Sequence, residues 1–242
     1  MRVSLLALLG LFIVGSAAAI QTDDEAKAIV AKAVQAHGGD AKRARPAYTL
    51  KLQGSVFADG RAAAHSGSIA AEGPDRARIT NRFAGEEDIQ VVNGDQGWVR
   101  TKGQTRALGK EELADFKEDL YTDWVTTLLP LTEQEFVLAR LAGAKVGNRP
   151  AVGVRVARKG HRDVELYFDE QSGLLVKKRI TRAGPDGKAV VYETFSSAVK
   201  DFDGIKQATT FVTYRDGVKF IEAEVVEAKF SKSLPAGTFA KP

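Results

Sequence analysis

GPDRARITNRFAGEEDIQVVNGDQGWV, residues 73–99, is the stretch that decides the fold of this chain. It predicts β-strands near 76–83, 87–93 and 97–102, because segments of this length that lie between turn residues are typical of strands. The turn signals are Gly73-Pro74-Asp75 before the first strand and Asn93-Gly94-Asp95 between the second and the third. Since strands joined by tight turns are antiparallel neighbours, the stretch predicts part of an antiparallel sheet.

The same pattern continues on both sides of this stretch. Tyr48, Leu50 and Leu52 alternate with polar residues, which predicts a strand with one buried and one solvated face. Further strands are expected near 48–57, 66–72, 134–141, 151–157, 163–169, 174–182, 188–197, 206–215 and 218–229. Turn dipeptides such as Asp203-Gly204 and Asp216-Gly217 separate several of them, so most of the chain is expected to be β.

Two helical segments interrupt this pattern. The first is expected to begin at a capping box formed by Thr22 and Glu25 and to end at Gly38. The second is expected at Lys110–Leu129, ended by Pro130, and each helix has an apolar stripe that needs a surface to pack on. The predicted fold is mainly β (α+β), a strongly curved antiparallel sheet or incomplete β-barrel of about 11–12 strands, with two helices covering its concave face. A β-sandwich is the alternative.

Residues 1–19, MRVSLLALLGLFIVGSAAA, have the basic start, apolar run and small-residue end of a secretory signal peptide. The apolar run is shorter than the roughly 20 residues that span a bilayer, so cleavage near Ile20 is predicted, with an uncleaved anchor as the alternative. The chain has no cysteine, which excludes disulfides and a lipobox acylation site. We expect a periplasmic or secreted protein, soluble after cleavage, with residues 20–242 as a single domain.

The charge of the chain bears on its partners. The formal net charge is +4, and Lys and Arg are scattered among nearly as many Asp and Glu. Nucleic-acid-binding proteins usually carry a clustered basic surface, so no nucleic-acid partner is expected. A mildly basic surface is compatible with transient contact with anionic membranes.

The sequence has no recognisable catalytic or metal-binding motif. His37, His65 and His161 are widely separated and lack the spacing of zinc ligands. Glu222 and Glu224 share one face of a predicted strand, but they alternate with apolar residues, which favours a solvated outer face over an acid–base pair. We therefore expect no enzymatic activity, no metal and no cofactor.

Several segments resemble a known family. Gly73–Thr80 and Val91–Val99 are similar to strands of the LolA-like periplasmic lipoprotein carriers. In those carriers, an Arg-bearing strand follows a Pro turn. Next come a strand, an Asn-Gly turn and a further strand that ends on an aromatic residue. LPAGTFAKP at the end of the chain resembles the closing segment of that family. AHGGD, PAVGVRV and KGHRDVELYFD also resemble secreted proteins grouped with outer-membrane lipoprotein-sorting proteins. The resemblance implies an incomplete barrel, covered by helices, around an apolar cavity for lipoprotein acyl chains.

The resemblance also implies roles for particular residues. Arg78, and after it Arg76, matches the Arg that holds the lid helices of the carriers closed through backbone carbonyls. The concave face is expected to be lined by Leu50, Leu52, Ile79, Val91, Trp98, Leu120, Trp124 and Leu128. The implied function is a monomeric secreted or periplasmic carrier that binds lipoprotein acyl chains or other lipids. The alternative is an envelope sensor or scaffold that uses the same fold to bind a protein partner.

Overall fold

The computed structural model describes residues 23–184 and 186–242, so the predicted signal peptide lies outside the described residues. The strands are β1 (Ala47–Ala58), β2 (Arg61–Ala71), β3 (Arg76–Phe83), β4 (Glu86–Asn93), β5 (Gln96–Thr101), β6 (Gln104–Ala107), β7 (Val137–Val146), β8 (Arg149–Ala157), β9 (Val164–Asp169), β10 (Leu175–Ala183), β11 (Ala189–Phe202), β12 (Ile205–Arg215) and β13 (Val218–Ser231). The helices are α1 (Asp24–Ala36), α2 (Gly39–Ala44) and α3 (Lys110–Thr126), and a 3₁₀ turn follows at Leu129–Thr132.

These strands form one antiparallel sheet of 13 strands in the order β6-β5-β4-β3-β2-β1-β13-β12-β11-β10-β9-β8-β7. The first and last strands of the chain, β1 and β13, pair in the middle of the sheet. The strands β6 and β7 are its two edges, and α3 lies between them in the sequence. The chain therefore crosses from one edge of the sheet to the other through α3.

Helix α3 packs against both halves of the sheet. Its Leu120 packs with Ala77 of β3 and Val92 of β4. Its Tyr121 and Val125 belong to the larger core, which also contains residues of α1 and of β7–β10. A helix is only about 10–12 Å wide. It can therefore contact strands that are far apart in the strand order only if the sheet curves strongly. The predicted fold class, a curved sheet or incomplete barrel with helices over its concave face, is thus confirmed.

Ion pairs fix α3 to strands of both halves. The Asp119 carboxylate accepts hydrogen bonds from Arg162 beside β9 at 3.2 Å and from Arg182 of β10 at 3.1 Å. Toward the other half, Lys117 donates to Asp95 in the turn between β4 and β5 at 3.0 Å. Partly exposed pairs of this kind contribute little stability each, so the packed apolar residues of α3 hold it and the ion pairs set its position.

The structure contains one strand more than the upper end of the predicted count. The extra strand is β6, whose four residues are too few to show a period of two in the sequence. The strand β2 begins at Arg61 instead of near residue 66, since Asp59-Gly60 forms the turn that pairs it with β1 over its full length.

The helices also differ in detail from the prediction. The side chain that caps α1 is that of Asp23, which accepts a hydrogen bond from the backbone N–H of Ala26, while Thr22 lies outside the described residues. The six-residue helix α2 was not predicted, because six residues are too few to show a helical period. Helix α3 ends at Thr126 instead of Leu129, and Leu128 takes a left-handed conformation with φ of 68°.

Candidate binding cavity

The middle strands of the sheet face a cavity of about 460 Å³. Strands β1, β11, β12 and β13 contribute side chains to one wall, and β10 adds Leu175 and Lys178. The other wall comes from His37 at the end of α1, from α2 and from the C-terminal turn of α3 with the residues that follow. A cavity of this size falls within the range of about 300–1,000 Å³ that is usual for small-molecule sites.

The strand wall of the cavity is largely apolar. Leu50 and Leu52 of β1 lie on the same face of the sheet, because they are separated by one residue. Phe211 of β12 and Ile221 and Phe230 of β13 line the same wall. A hydrocarbon chain that replaces water against these five side chains gains the free energy of burying apolar surface.

The ionisable residues of the cavity differ in whether another polar or charged group of the chain pairs with them. Asp123 of α3 accepts a hydrogen bond from Lys178 of β10 at 2.9 Å. Arg45 donates to the backbone carbonyl of Asp203, whose carboxylate lies 4.0 Å from the same guanidinium. Lys42 of α2 makes no hydrogen bond or ion pair through its ammonium group to any part of the chain that the structure describes.

His37 is held in its neutral form. Its Nδ1 donates to the carbonyl oxygen of Ala33 at 2.8 Å, and its Nε2 accepts from the backbone N–H of Leu175 at 3.3 Å. A ring nitrogen that accepts a hydrogen bond cannot carry a proton, so both contacts together select the neutral ring. Burial and, after it, the positive charge of Lys42 lower the pKa of His37 to about 4.

This neutral His37 makes the stability of the protein depend on pH. The pKa of the imidazole falls from 6.5 to about 4 on folding, so the unfolded chain binds the proton more tightly between these values. The stabilisation that results from the neutral His37 ring is fully present above pH 6.5 and is lost as the pH falls through about 4. The loss lowers the free energy of unfolding by about 3 kcal/mol. Urea unfolding of the wild type and of His37→Gln across this range measures the difference.

The matched control for this prediction is His65→Gln on strand β2. His65 contacts Asn81 and does not line the cavity, so this variant should keep the pH dependence of the wild type. If His37→Gln loses stability on acidification as steeply as the wild type, then the buried neutral histidine is not the cause.

Comparison of the sequence with family models and with curated proteins finds no match. The structure, in contrast, is similar to solved structures over nearly its whole length. A LolA superfamily protein from Nitrosomonas europaea has a TM-score of 0.60 and 12% identity, over 89% of this chain and 97% of that chain. The chain has a LolA-like fold.

Two further structures agree with this result. A DUF1329 family protein from Desulfovibrio piger has a TM-score of 0.61 and 14% identity, over 90% of this chain and 98% of that chain. A protein from Vibrio parahaemolyticus described as an outer membrane lipoprotein-sorting protein domain has a TM-score of 0.55 and 9% identity, over 89% of this chain and 97% of that chain. At these identities the similarity establishes the fold alone.

Within the LolA-like fold, five of the residues predicted to line the cavity lie in it or beside it. Leu50 and Leu52 line the cavity itself. Ile79, Leu120 and Trp124 line a small adjoining pocket, which shares wall residues with the cavity. The shared residues are Pro46, Tyr48, Ile69, Asp123 and Thr127.

The other three predicted lining residues lie elsewhere. Leu128 is buried in the core with α1 and β7–β10. Val91 and Trp98 lie on the convex face of the sheet, where they pack with Phe239 of the C-terminal segment. The reason is the register, because Ile79 pairs with Gln90, and Val91 therefore points to the face opposite to Ile79.

The two arginines predicted to hold the helices lie on the convex face as well. Arg78 pairs with Val91 across β3 and β4, so its side chain points away from α3. Arg76, two residues earlier, donates to Glu72 at 2.8 Å and lies 4.8 Å above the ring of Phe239. The predicted contact of these arginines with the helices is therefore wrong, and Arg76 holds the C-terminal segment instead.

Sequence reasoning missed much of the cavity wall. Phe211 and Ile221 belong to predicted strands and Phe230 lies one residue beyond one, but only the pairing of β13 with β1 and with β12 brings them into one wall with Leu50 and Leu52. His37 and Lys42 were missed because α2 was not predicted. The AHGGD sequence, which places two glycines directly after His37, was the available signal that the chain folds back at this point.

Residues 23–184 and 186–242 contain no group of three or more His, Cys, Asp or Glu that could hold a metal ion. Over the same residues, no helix has the length and apolar character needed to cross a bilayer.

Proposed function

We propose that this protein is a secreted or periplasmic carrier that binds lipoprotein acyl chains or other lipids in its cavity. The observation that carries the proposal is the cavity of about 460 Å³, bounded by the strand wall that contains Leu50 and Leu52 and by helices of the LolA-like fold. The sequence of residues 1–19, with its signal-peptide pattern, supports export.

The energetics of such binding are favourable without any catalytic group. Burial of one methylene contributes about 0.8 kcal/mol, so ten methylenes supply roughly 8 kcal/mol. Ordering the chain and losing its translational freedom offset part of this gain. A monomeric carrier with transient membrane contact requires binding that is favourable and also reversible.

The alternative function, an envelope sensor or scaffold, predicts different features in the same fold. It predicts a concavity filled by side chains together with a contiguous apolar patch on the surface. The large cavity over the middle strands favours the carrier.

The test is displacement of an apolar fluorescent probe. N-phenylnaphthylamine should bind to the purified protein with an increase in fluorescence, and a triacylated lipopeptide should displace it. The same peptide without its acyl chains is the control and should leave the signal unchanged. If the unacylated peptide displaces the probe equally well, the protein binds peptide and not lipid.

A further inference from the structure

Lys42 is the one residue of the cavity whose charge the chain leaves uncompensated, among the residues that the structure describes. The residue as a whole is only 7% exposed, and it lines the cavity. Among the described residues that line the cavity, Asp123 is the only acidic one, and its carboxylate is already bound to Lys178.

An unpaired ammonium group in this position is costly. Buried lysines in proteins are normally paired, because removing the charge from water is unfavourable. Burial lowers the pKa of Lys42 to about 8, a value at which the amine still carries its proton at neutral pH. The fold therefore retains a positive charge beside an apolar wall at a cost to its own stability.

The surroundings of Lys42 add two polar groups that face the same space. His37 and Arg45, on either side of α2, also line the cavity. The His37 nitrogens are both occupied, while the Arg45 guanidinium is partly occupied by Asp203. Lys42 is therefore the cationic group that is free to receive a ligand.

We propose that the cavity takes an amphiphile with an anionic headgroup, and that Lys42 is the counter-ion that recognises this headgroup. The headgroup is a carboxylate or a phosphate monoester, and its hydrocarbon chain runs along Leu50 and Leu52. An ammonium–anion contact away from water is a strong charge-assisted hydrogen bond, which an uncharged headgroup cannot make in the same way. This inference rests on the proposed lipid-binding function and narrows its ligand to a lipid with an anionic headgroup, since the ester- and amide-linked acyl chains of a lipoprotein carry no such group.

The test compares three amphiphiles with one chain length in displacement of N-phenylnaphthylamine. Dodecanoate and dodecyl phosphate carry the two anionic headgroups, and dodecanol carries none. In Lys42→Met the affinity for the preferred anion should fall by about tenfold or more, whereas the affinity for dodecanol should stay within about twofold. Whichever anion binds the wild type more tightly identifies a fatty-acid type or a phospholipid type of headgroup.

Two control variants distinguish the effect of the charge on Lys42 from the effect of removing a positive charge anywhere on the protein. Lys42→Arg keeps the charge and should keep the preference for anions. Lys145→Met removes an exposed positive charge on β7 outside the cavity and should change no affinity. In addition, ligand-free Lys42→Met should melt at a higher temperature than the wild type, because it no longer buries an unpaired charge.

The results distinguish failure of the inference about Lys42 from failure of the proposed function. If Lys42→Met binds dodecanoate and dodecyl phosphate as tightly as the wild type, while dodecanol still displaces the probe, then the inference about Lys42 is wrong and the lipid-binding function stands. If none of the three amphiphiles displaces the probe from the wild type, both proposals are overturned.

Discussion

Replacement of Leu52 by glutamate is expected to abolish binding of an apolar probe to the cavity. Leu52 lies in the strand wall opposite Gly67 and Val225, and its side chain faces the cavity. A carboxylate placed there is charged, with or without Lys42 as its counter-ion, or becomes protonated with a raised pKa, and each of these states puts a polar group in the path of the apolar probe. We expect a loss of probe affinity of at least about tenfold, which corresponds to about 1.4 kcal/mol.

The neighbouring residue provides the matched control. Gln53 is exposed and points to the opposite face of β1, so Gln53→Glu introduces the same charge one residue away from the cavity. This variant should bind the probe as the wild type does, and both proteins should show the same circular dichroism spectrum. A folded Leu52→Glu protein that takes up probe and acylated ligand normally would mean that this cavity is not the binding site.

Gly54→Ala is expected to destabilise the fold by about 3 kcal/mol or more. Gly54 lies in β1 opposite Ala223 of β13, at the centre of the sheet. A Cβ atom at this position would lie only 1.9 Å from the backbone carbonyl oxygen of Glu222. A backbone atom cannot move aside as a flexible side chain can, so the strand pair in the middle of the curved sheet would have to separate.

Gly143→Ala is the control for this substitution. Gly143 also lies in a strand, β7, but a Cβ atom there would be 3.7 Å from its nearest neighbour, an ordinary contact. The change in the free energy of unfolding should stay within about 0.5 kcal/mol, measured by urea titration. Equal stability of the two variants would show that the close approach of β1 and β13 at Gly54 does not limit the fold.

The strands and the two longer helices could be predicted from the sequence because their signals are local. Alternation around Leu50 and the turn at Asn93-Gly94 depend only on neighbouring residues. The curved sheet then followed from a long series of antiparallel strands and from two amphipathic helices whose apolar stripes needed a surface to pack on. Elements of four or six residues, such as β6 and α2, have no period to detect.

The cavity was only partly predictable, since it depends on register and on long-range pairing. A shift of one residue in the pairing of β3 and β4 would exchange the faces of Val91 and Gln90. The two-residue turn Ala84-Gly85 fixes this register, but it lacks the Asn-Gly or Asp-Gly signal that marks other turns in the sequence. The side of the sheet on which Arg76 and Trp98 lie follows from the same pairing. Lys42 enters the same cavity wall as Leu50 only because α2 packs against β12, a strand far away in the sequence.

The most direct test of acyl-chain binding in this cavity uses the two tryptophans of the chain. Trp124 lies beside the cavity, in the adjoining pocket, whereas Trp98 lies on the convex face with the C-terminal segment. Trp98→Phe leaves Trp124 as the single reporter, and Trp124→Phe leaves Trp98. Titration of each variant with bromine-labelled hexadecanoate, whose bromine atoms quench tryptophan at contact distance, should quench Trp124 strongly and leave Trp98 unchanged. Equal quenching of both tryptophans, or quenching of Trp98 alone, would contradict binding of the chain in this cavity.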